Sequence, residues 1–308
     1  MSIKEYLMLK NPQGVVEEIT SFIKVQVEKF NANGIIFGLS GGVDSSLVAY
    51  LLSKALPREK IRALFIKERD SHPESRIHAR LVAQNLGIEL KEINITPILK
   101  KIGVYSLEPP PLFFPRSFQE RYTKNKYLQF LNEEETTFLK SLKGGENILE
   151  IMKGNAYLRI KHRIRAVLLY FYGEQMNYII AGCCNKTEKL TGFFVKYGDS
   201  ASDIDPIVDL YKTQVKTLAR FLSVPDVIIE KPPSPDLAPG LTDEFTLQMS
   251  YERIDMVLYA LEHGLIKELL AEGFSQKEID YIKTLNTFSK HMRETPSYPK
   301  IGSMKNPI

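Results

Sequence analysis

The run FGLSGGVDSSLVAYLLSKAL, residues 37–56, limits what this chain can fold into more than any other stretch. GIIFGLS (34–40) reads as a short buried strand, and after Gly41 and Gly42 the apolar positions Leu47, Val48, Leu51, Leu52 and Leu56 return at helical spacing until Pro57. A strand, a Gly-rich turn and a helix are therefore predicted. The same alternation follows: IRALFI (61–66) as a strand, PESRIHARLVAQNLG (73–87) as a helix ending at Gly87, and IELKEINI (88–95) as a strand. A helical pattern from about Asn155 to Tyr172 then precedes a further strand, NYIIAGCC (177–184). Such βαβ repetition predicts an α/β fold: a doubly wound, mainly parallel, Rossmann-like sheet with helices on both faces. Ligands of such sheets bind at the carboxyl ends of strands, where GLS and AGCC end.

Around this frame, Val15, Val16, Ile19, Phe22, Ile23, Val25, Val27 and Phe30 predict one amphipathic helix in the first thirty residues. Residues 105–150 change character, with three consecutive prolines, many aromatics and mixed charge. They read as an insertion or lid carrying one or two short helices. A single domain over 1–308 is expected, closing with a C-terminal helical segment over 243–308. With 44% hydrophobic residues it needs no covalent help to bury a core.

The formal net charge of +4 is mild and spread along the chain, which favours an anionic small molecule and argues against a nucleic-acid groove. The two cysteines, Cys183 and Cys184, are adjacent in a strand-like stretch and face opposite ways, so a reduced, cytoplasmic protein is expected. Residues 1–30 lack the pattern of a signal peptide, and no stretch approaches the ~20 apolar residues that span a bilayer.

The turn itself points to an anion. A strand feeding glycines and then a helix N-terminus presents backbone N–H groups and the positive end of a helix dipole. Gly41 and Gly42 allow close approach to a phosphate, and Ser40, Ser45 and Ser46 offer hydroxyl donors. Asp44 would repel phosphate unless a cation lies between them, and Mg²⁺ held by Asp44 and phosphate oxygens is the economical solution. Glu188, just past a strand end, can meet that metal from the other side, while Lys186, Lys196 and Lys212 are each able to neutralise phosphate. The loop is not GxxxxGK[ST]. SGGVDSS resembles instead the pyrophosphate loop of the adenylating ATP pyrophosphatases, with their adenine nucleotide alpha hydrolase-like fold. That resemblance implies ATP cleaved between its α and β phosphates to activate a substrate as an adenylate.

A longer ordered series narrows the family. GCCNKTE, GFFVKYGDSASDIDP, DLYKTQV, KPPSPDL, GLTDE and, near the end, HMRETP closely resemble the successive motifs of ammonia-dependent NAD synthetases, over most of the chain outside 105–150. The resemblance implies an amide-forming ligase that adenylates the carboxylate of deamido-NAD and lets ammonia displace AMP. It implies ATP contacts at Gly38, Ser40, Gly41, Gly42, Asp44, Ser45, Cys183, Lys212 and Ser234, with Mg²⁺ on Asp44 and Glu188. Asp44, Glu188 and Lys212 would carry the catalysis. Second-substrate contacts are implied at Arg163, Lys196, Asp199, Asp203, His291 and Arg293, and a homodimer with the Asn155–Tyr172 helix as a candidate interface. At this length, and with only two cysteines, no glutamine-hydrolysing domain is expected, so ammonia is the nitrogen source.

The departures cluster on the second substrate. The family threonine is Cys183, two glycines are Ser200 and Ala201, an Asn and an Ala are Arg159 and His162, and a tail lysine is Met292. The expected M-P-S segment reads IKERDS (66–71). Two alternatives stay open on these grounds: a related ligase for a different carboxylate, and a non-catalytic nucleotide-binding relative.

Overall fold

The structure, a computed structural model, describes residues 2–107, 115–132 and 135–299. The helix expected in the first thirty residues is two: α1 (Ile3–Leu7) and α2 (Pro12–Lys29). Asn11 and Pro12 divide them, because proline disfavours helical backbone in the residue before it and suits the first turn of a new helix, which Asn11 caps. Along α2, Val16, Ile23 and Val27 are buried, whereas Phe22, Val25 and Phe30 are exposed.

The chain then lays down β1 (Gly34–Gly38), α3 (Val43–Ala55), β2 (Ile61–Lys67), α4 (Pro73–Leu86), β3 (Glu89–Asn94) and α5 (Thr96–Ile102). As predicted, α4 stops at Gly87, whose φ of 63° supplies the left-handed cap. After α6 (Arg116–Leu128) and α7 (Thr137–Leu142), α8 (Leu149–Met176) enters β4 (Tyr178–Ala181). Helix α8 is longer at both ends than the pattern over 155–172, and β4 stops before the cysteines, at Ala181, which pairs with Phe37 of β1 and makes an isolated bridge to Ile204. The triple proline and the rest of 108–114, with 133–134, lie outside the described residues.

The four strands are parallel in the order β3-β2-β1-β4, with Ile35 opposite both Ile61 and Ile179. Period-two alternation gives the sheet two apolar faces. Ile35, Phe37, Ala63, Phe65 and Ile179 pack against α2, α3 and α4, while Ile36, Leu64, Ile66 and Ile180 pack against α5 and α8. The sheet is doubly wound, as the sequence predicts.

Beyond β4 come α9 (Lys186–Thr191), α10 (Lys212–Phe221), α11 (Asp226–Ile229), α12 (Asp243–Leu247), α13 (Tyr251–His263), α14 (Ile266–Ala271) and α15 (Gln276–Arg293). Helices α10 and α11 add Val215, Leu218, Ala219, Ile228 and Ile229 to the core on the α3 face of the sheet, whereas α12 to α15 form a further core with α1 and with Leu139 and Leu142 of α7. Aromatics of the 105–150 stretch join elements outside it: Tyr127 meets Phe245 at 5.7 Å and Phe138 meets Phe193 at 5.3 Å between ring centroids. Helix α6 presses on the loop before α12 so closely that a Cβ on Gly240 would fall 2.6 Å from that of Glu120.

Candidate active site

The opening turn sits at the carboxyl end of β1. Gly41 has φ of 80°, and a Cβ there would lie 2.2 Å from the Ser75 carbonyl oxygen, so only glycine lets α4 pack against the turn. Gly42 is the N-cap of α3. The hydroxyls organise the turn from within. Ser40 Oγ lies 2.9 Å from Ser45 Oγ and accepts from the Gly42 N–H at 3.2 Å, and Ser46 Oγ donates to the Gly42 carbonyl at 2.8 Å.

The opposing wall starts where β4 ends. Asn185 caps α9 in a capping box with Glu188, which fixes that carboxylate on the first turn, and Asn185 Nδ2 donates to Asp44 Oδ1 at 2.9 Å. Lys212, the first residue of α10, is 1% exposed; its Nζ bonds Asp44 Oδ2 and lies 3.6 Å from Glu188 Oε1. Asp243 completes the group from α12: Oδ2 accepts from Tyr251 Oη at 2.8 Å, and its buried Oδ1 has no hydrogen-bond partner among the described residues.

Three carboxylates thus face one ammonium. Burial works against the charge of Lys212, but Asp44, Glu188 and Asp243 together outweigh it and hold the group above its ordinary range. Burial pushes Glu188 up to about 8 against the pull of Lys212, and Asp243 up to about 6. The site is short of positive charge. Among the described residues no three Asp, Glu, His or Cys side chains are gathered to hold a metal alone. Asp44 and Glu188 fit an ion that takes its remaining ligands from phosphate and water, which is the habit of Mg²⁺.

A cavity of about 500 Å³ opens above these groups. Gly38, Ser40, Gly42, Asp44 and Ser45 line it from the turn, and Cys183, Glu188, Asp199, Lys212 and Ser234 line it from the other walls. Cys183 points at the Gly38 carbonyl at 3.8 Å, and burial pushes its thiol well up, so it stays protonated. Asp199 accepts from the Val195 N–H at 2.6 Å. The Ser234 hydroxyl is turned into its own loop, donating to the Leu241 carbonyl at 2.7 Å.

The remaining expected contacts do not line this cavity. Gly41 lies behind the turn. Arg163 is exposed, its Nε donating to the Lys196 carbonyl at 3.3 Å, and Asp203 accepts from the Ile180 N–H at 2.8 Å beside the sheet. Lys196 Nζ donates to the carbonyls of His291 at 2.8 Å and Glu294 at 3.2 Å. Arg293 donates to the Lys189 carbonyl at 2.9 Å, so the tail of α15 is fastened to α9, and the His291 ring contacts its own helix at Phe288.

Several lining residues escaped the reading of the sequence. The face of α8 turned to the cavity carries His162, Arg165, Ala166 and Leu169, so the arginine that α8 brings to the cavity is Arg165, its Nε donating to the Ile66 carbonyl at 3.0 Å. Those four positions stand at helical spacing, a signal that picks Arg165 over Arg163. Asp243 lies inside GLTDE, already singled out as a motif. Lys231 likewise opens the motif KPPSPDL, whereas Arg116 and Lys124 of α6 carry no such mark.

Comparison with known proteins adds the following. The sequence model of the NAD synthase family matches residues 15–109 and 116–296. The NH(3)-dependent NAD(+) synthetase of Thermotoga maritima is 45% identical over 282 residues, 91% of this chain and 97% of that protein. Its counterpart in Methanocaldococcus jannaschii is 37% identical over 289 residues, 93% and 96% of the two. Among solved structures, NMN synthetase from Francisella tularensis aligns with a TM-score of 0.68 at 27% identity, over 94% of this chain and 99% of that one. NH3-dependent NAD synthetase from Campylobacter jejuni aligns at 0.67 and 26%, with the same coverage.

Proposed function

The chain belongs to the NAD synthase family, and from that premise we propose that it is an ATP-dependent ligase that makes NAD from deamido-NAD and ammonia. The observation that carries this reading is the convergence of the serine-glycine turn, Lys212 and the carboxylates of Asp44, Glu188 and Asp243 at one cavity beside the ends of β1 and β4. The nicotinate carboxylate oxygen attacks the α phosphorus of ATP, the bridge to the β phosphate breaks, and pyrophosphate leaves. Ammonia then attacks the acyl carbon, and AMP departs with the electron pair of the mixed anhydride.

No residue need become a covalent nucleophile; the work is positioning and charge neutralisation. The turn from Ser40 to Ser45 binds the departing pyrophosphate through hydroxyls and the N-terminus of α3. Lys212, held cationic by its neighbours, offsets charge that develops on the phosphates. Asp44 and Glu188 would hold Mg²⁺, which supplies further positive charge to the polyphosphate. Of the residues outside the cavity, Arg163 and Asp203 remain our candidates for the second substrate, with Lys196, His291 and Arg293 acting on it through α15.

We read the chain as one catalytic domain in which the 105–150 stretch supplies a cavity wall through α6 and the helices from Asp243 onward buttress it. A homodimer fits the exposed Val167 and Phe171 on α8. Unpaired Cys183 and Cys184 suit a reducing, cytoplasmic setting. No helix among the described residues is long and apolar enough to cross a membrane.

The test is pyrophosphate release by the purified chain with ATP, Mg²⁺ and ammonium, with and without deamido-NAD. Release that requires deamido-NAD and matches NAD formed mole for mole is expected. Release indifferent to deamido-NAD would overturn the reading. The likeness to an NMN synthetase, together with Ser200 and Ala201 in place of glycines, favours one second reading, deamidated mononucleotide as substrate. The same assay with that mononucleotide decides between them through kcat/KM.

A further inference from the structure

Behind the cavity lies a buried ionic cluster that the chemistry above does not use. Lys161 of α8 is 0% exposed, Glu68 4% and Asp70 9%. The three ammonium hydrogens of Lys161 have three acceptors: Glu68 Oε1 at 3.0 Å, Asp70 Oδ2 at 2.7 Å and the Leu237 carbonyl at 2.7 Å. Tyr105 Oη donates to the other Glu68 oxygen at 2.9 Å, Arg69 Nε to Asp70 Oδ1 at 3.0 Å, and Tyr157 Oη to Asp70. Two cations thus balance two carboxylates.

What this cluster holds is a loop. The Leu237 carbonyl belongs to the segment between α11 and α12, and the residue before it, Asp236, accepts from the His72 N–H at 2.7 Å. Two adjacent loop positions are therefore tied down, Asp236 directly to the turn after β2 and Leu237 to Lys161 of α8, which that turn's carboxylates hold. The same segment carries Lys231 and Ser234 on one side of the tie and Thr242 and Asp243 on the other, all lining the cavity. Apolar packing is non-directional and would leave such a backbone free to slide, whereas a buried ammonium specifies one carbonyl. Glu68, Arg69 and Asp70 stand where the family resemblance leads one to expect M-P-S, and Lys161 belongs to the RIKHRIR stretch.

We propose that Lys161 is a positioning residue of the adenylation site: through the Leu237 carbonyl, with Glu68 and Asp70 as its counter-charges, it latches loop 231–242 in the shape that brings Lys231, Ser234 and Asp243 to the substrates. The proposal deepens the ligase reading and rests on it for its kinetic consequence. The latch itself is a property of the unliganded chain.

The parent protein provides the first test. Leu237 and Leu241 are cleavable by thermolysin once the loop opens, and both are buried in the latched form, 6% and 7% exposed. Without ATP the parent should resist nicking between Asp236 and Leu241; ready cleavage there would overturn the latch whatever any variant does. The second test unlatches the loop without stranding a charge, in the full chain carrying Lys161→Met and Glu68→Gln, so that Asp70 keeps Arg69 as its counter-charge. Judged folded by circular dichroism, it should be nicked in this loop about ten-fold faster than the parent, with KM for ATP about ten-fold higher and kcat nearly unchanged. Lys161→Arg, which keeps charge and donors, should restore most of the KM. Parent-like nicking and KM in the folded double variant would mean that Lys161 merely stabilises the interior. If the parent releases no pyrophosphate, the ligase reading fails, and the nicking comparison still decides the latch.

Discussion

At the scale of single residues, the site combines a shortage of positive charge with a rigid turn. Lys212 answers three carboxylates, and Asp44 touches Lys212, Asn185 and the cavity at once. Asp44→Ala removes the charge together with the acceptors that meet Lys212 and Asn185, whereas Asp44→Asn keeps the shape and one oxygen acceptor and removes only the charge, so it is the cleaner variant. It should lower pyrophosphate release at least about a hundred-fold with little change in melting temperature; a variant of normal turnover would remove Asp44 from the metal and phosphate chemistry. Gly41→Ala tests the turn itself. Its Cβ meets the Ser75 carbonyl at 2.2 Å with φ at 80°, so a loss of about 1–3 kcal/mol and a raised KM for ATP are expected in chemical denaturation and kinetics. The residues of this turn were legible because SGGVDSS is contiguous. Arg165 was not selected, because two nearby arginines compete in the sequence and only the helix phase separates them.

At the scale of elements, the catalytic wall is held by a buried carboxylate on α13. Asp255 is 0% exposed and accepts from Thr187 Oγ1 at 2.5 Å, from the Thr213 N–H at 2.8 Å and from Thr213 Oγ1 at 2.8 Å, joining α13 to α9 and α10. Burial pushes its carboxyl from 3.8 up to about 6, against the pull of those hydrogen bonds. Between those values the folded chain keeps a proton that the unfolded chain has lost, so this contribution to stability falls as pH rises through the window and levels off above it. The shift corresponds to a loss on the order of 3 kcal/mol. Urea unfolding at pH 4.5 and 6.5 should show the decline in the parent and a flatter response in Asp255→Asn; equal slopes would acquit Asp255. Element types were readable wherever apolar period and caps agreed, as in β1, α3 and α4. The N-terminal helix split because Asn11 and Pro12 override a continuous apolar pattern, and α8 outran its pattern because its ends pack against α7 and β4.

At the scale of the molecule, α8 leaves Val167 and Phe171 61% and 51% exposed one turn apart, while its other face covers the sheet. If that ridge is the dimer interface, Val167→Glu with Phe171→Glu should reduce the sedimenting mass from two chains to one of 35.2 kDa; an unchanged mass would place the interface elsewhere. The sequence by itself determined the parallel sheet, the glycine-rich turn after β1 and the family, because each is written in contiguous runs whose periodicity or order is local. Only the tertiary structure decided which side chains share the cavity. Arg116 of α6, Arg165 of α8 and the 231–243 segment with Lys231 and Asp243 are far apart in the chain, and Lys161 reaches the Leu237 carbonyl across 76 positions of chain. Burial decided the rest: a carboxylate or ammonium acquires its charge state from the desolvation and partners that folding imposes, and neither is written beside it in the chain.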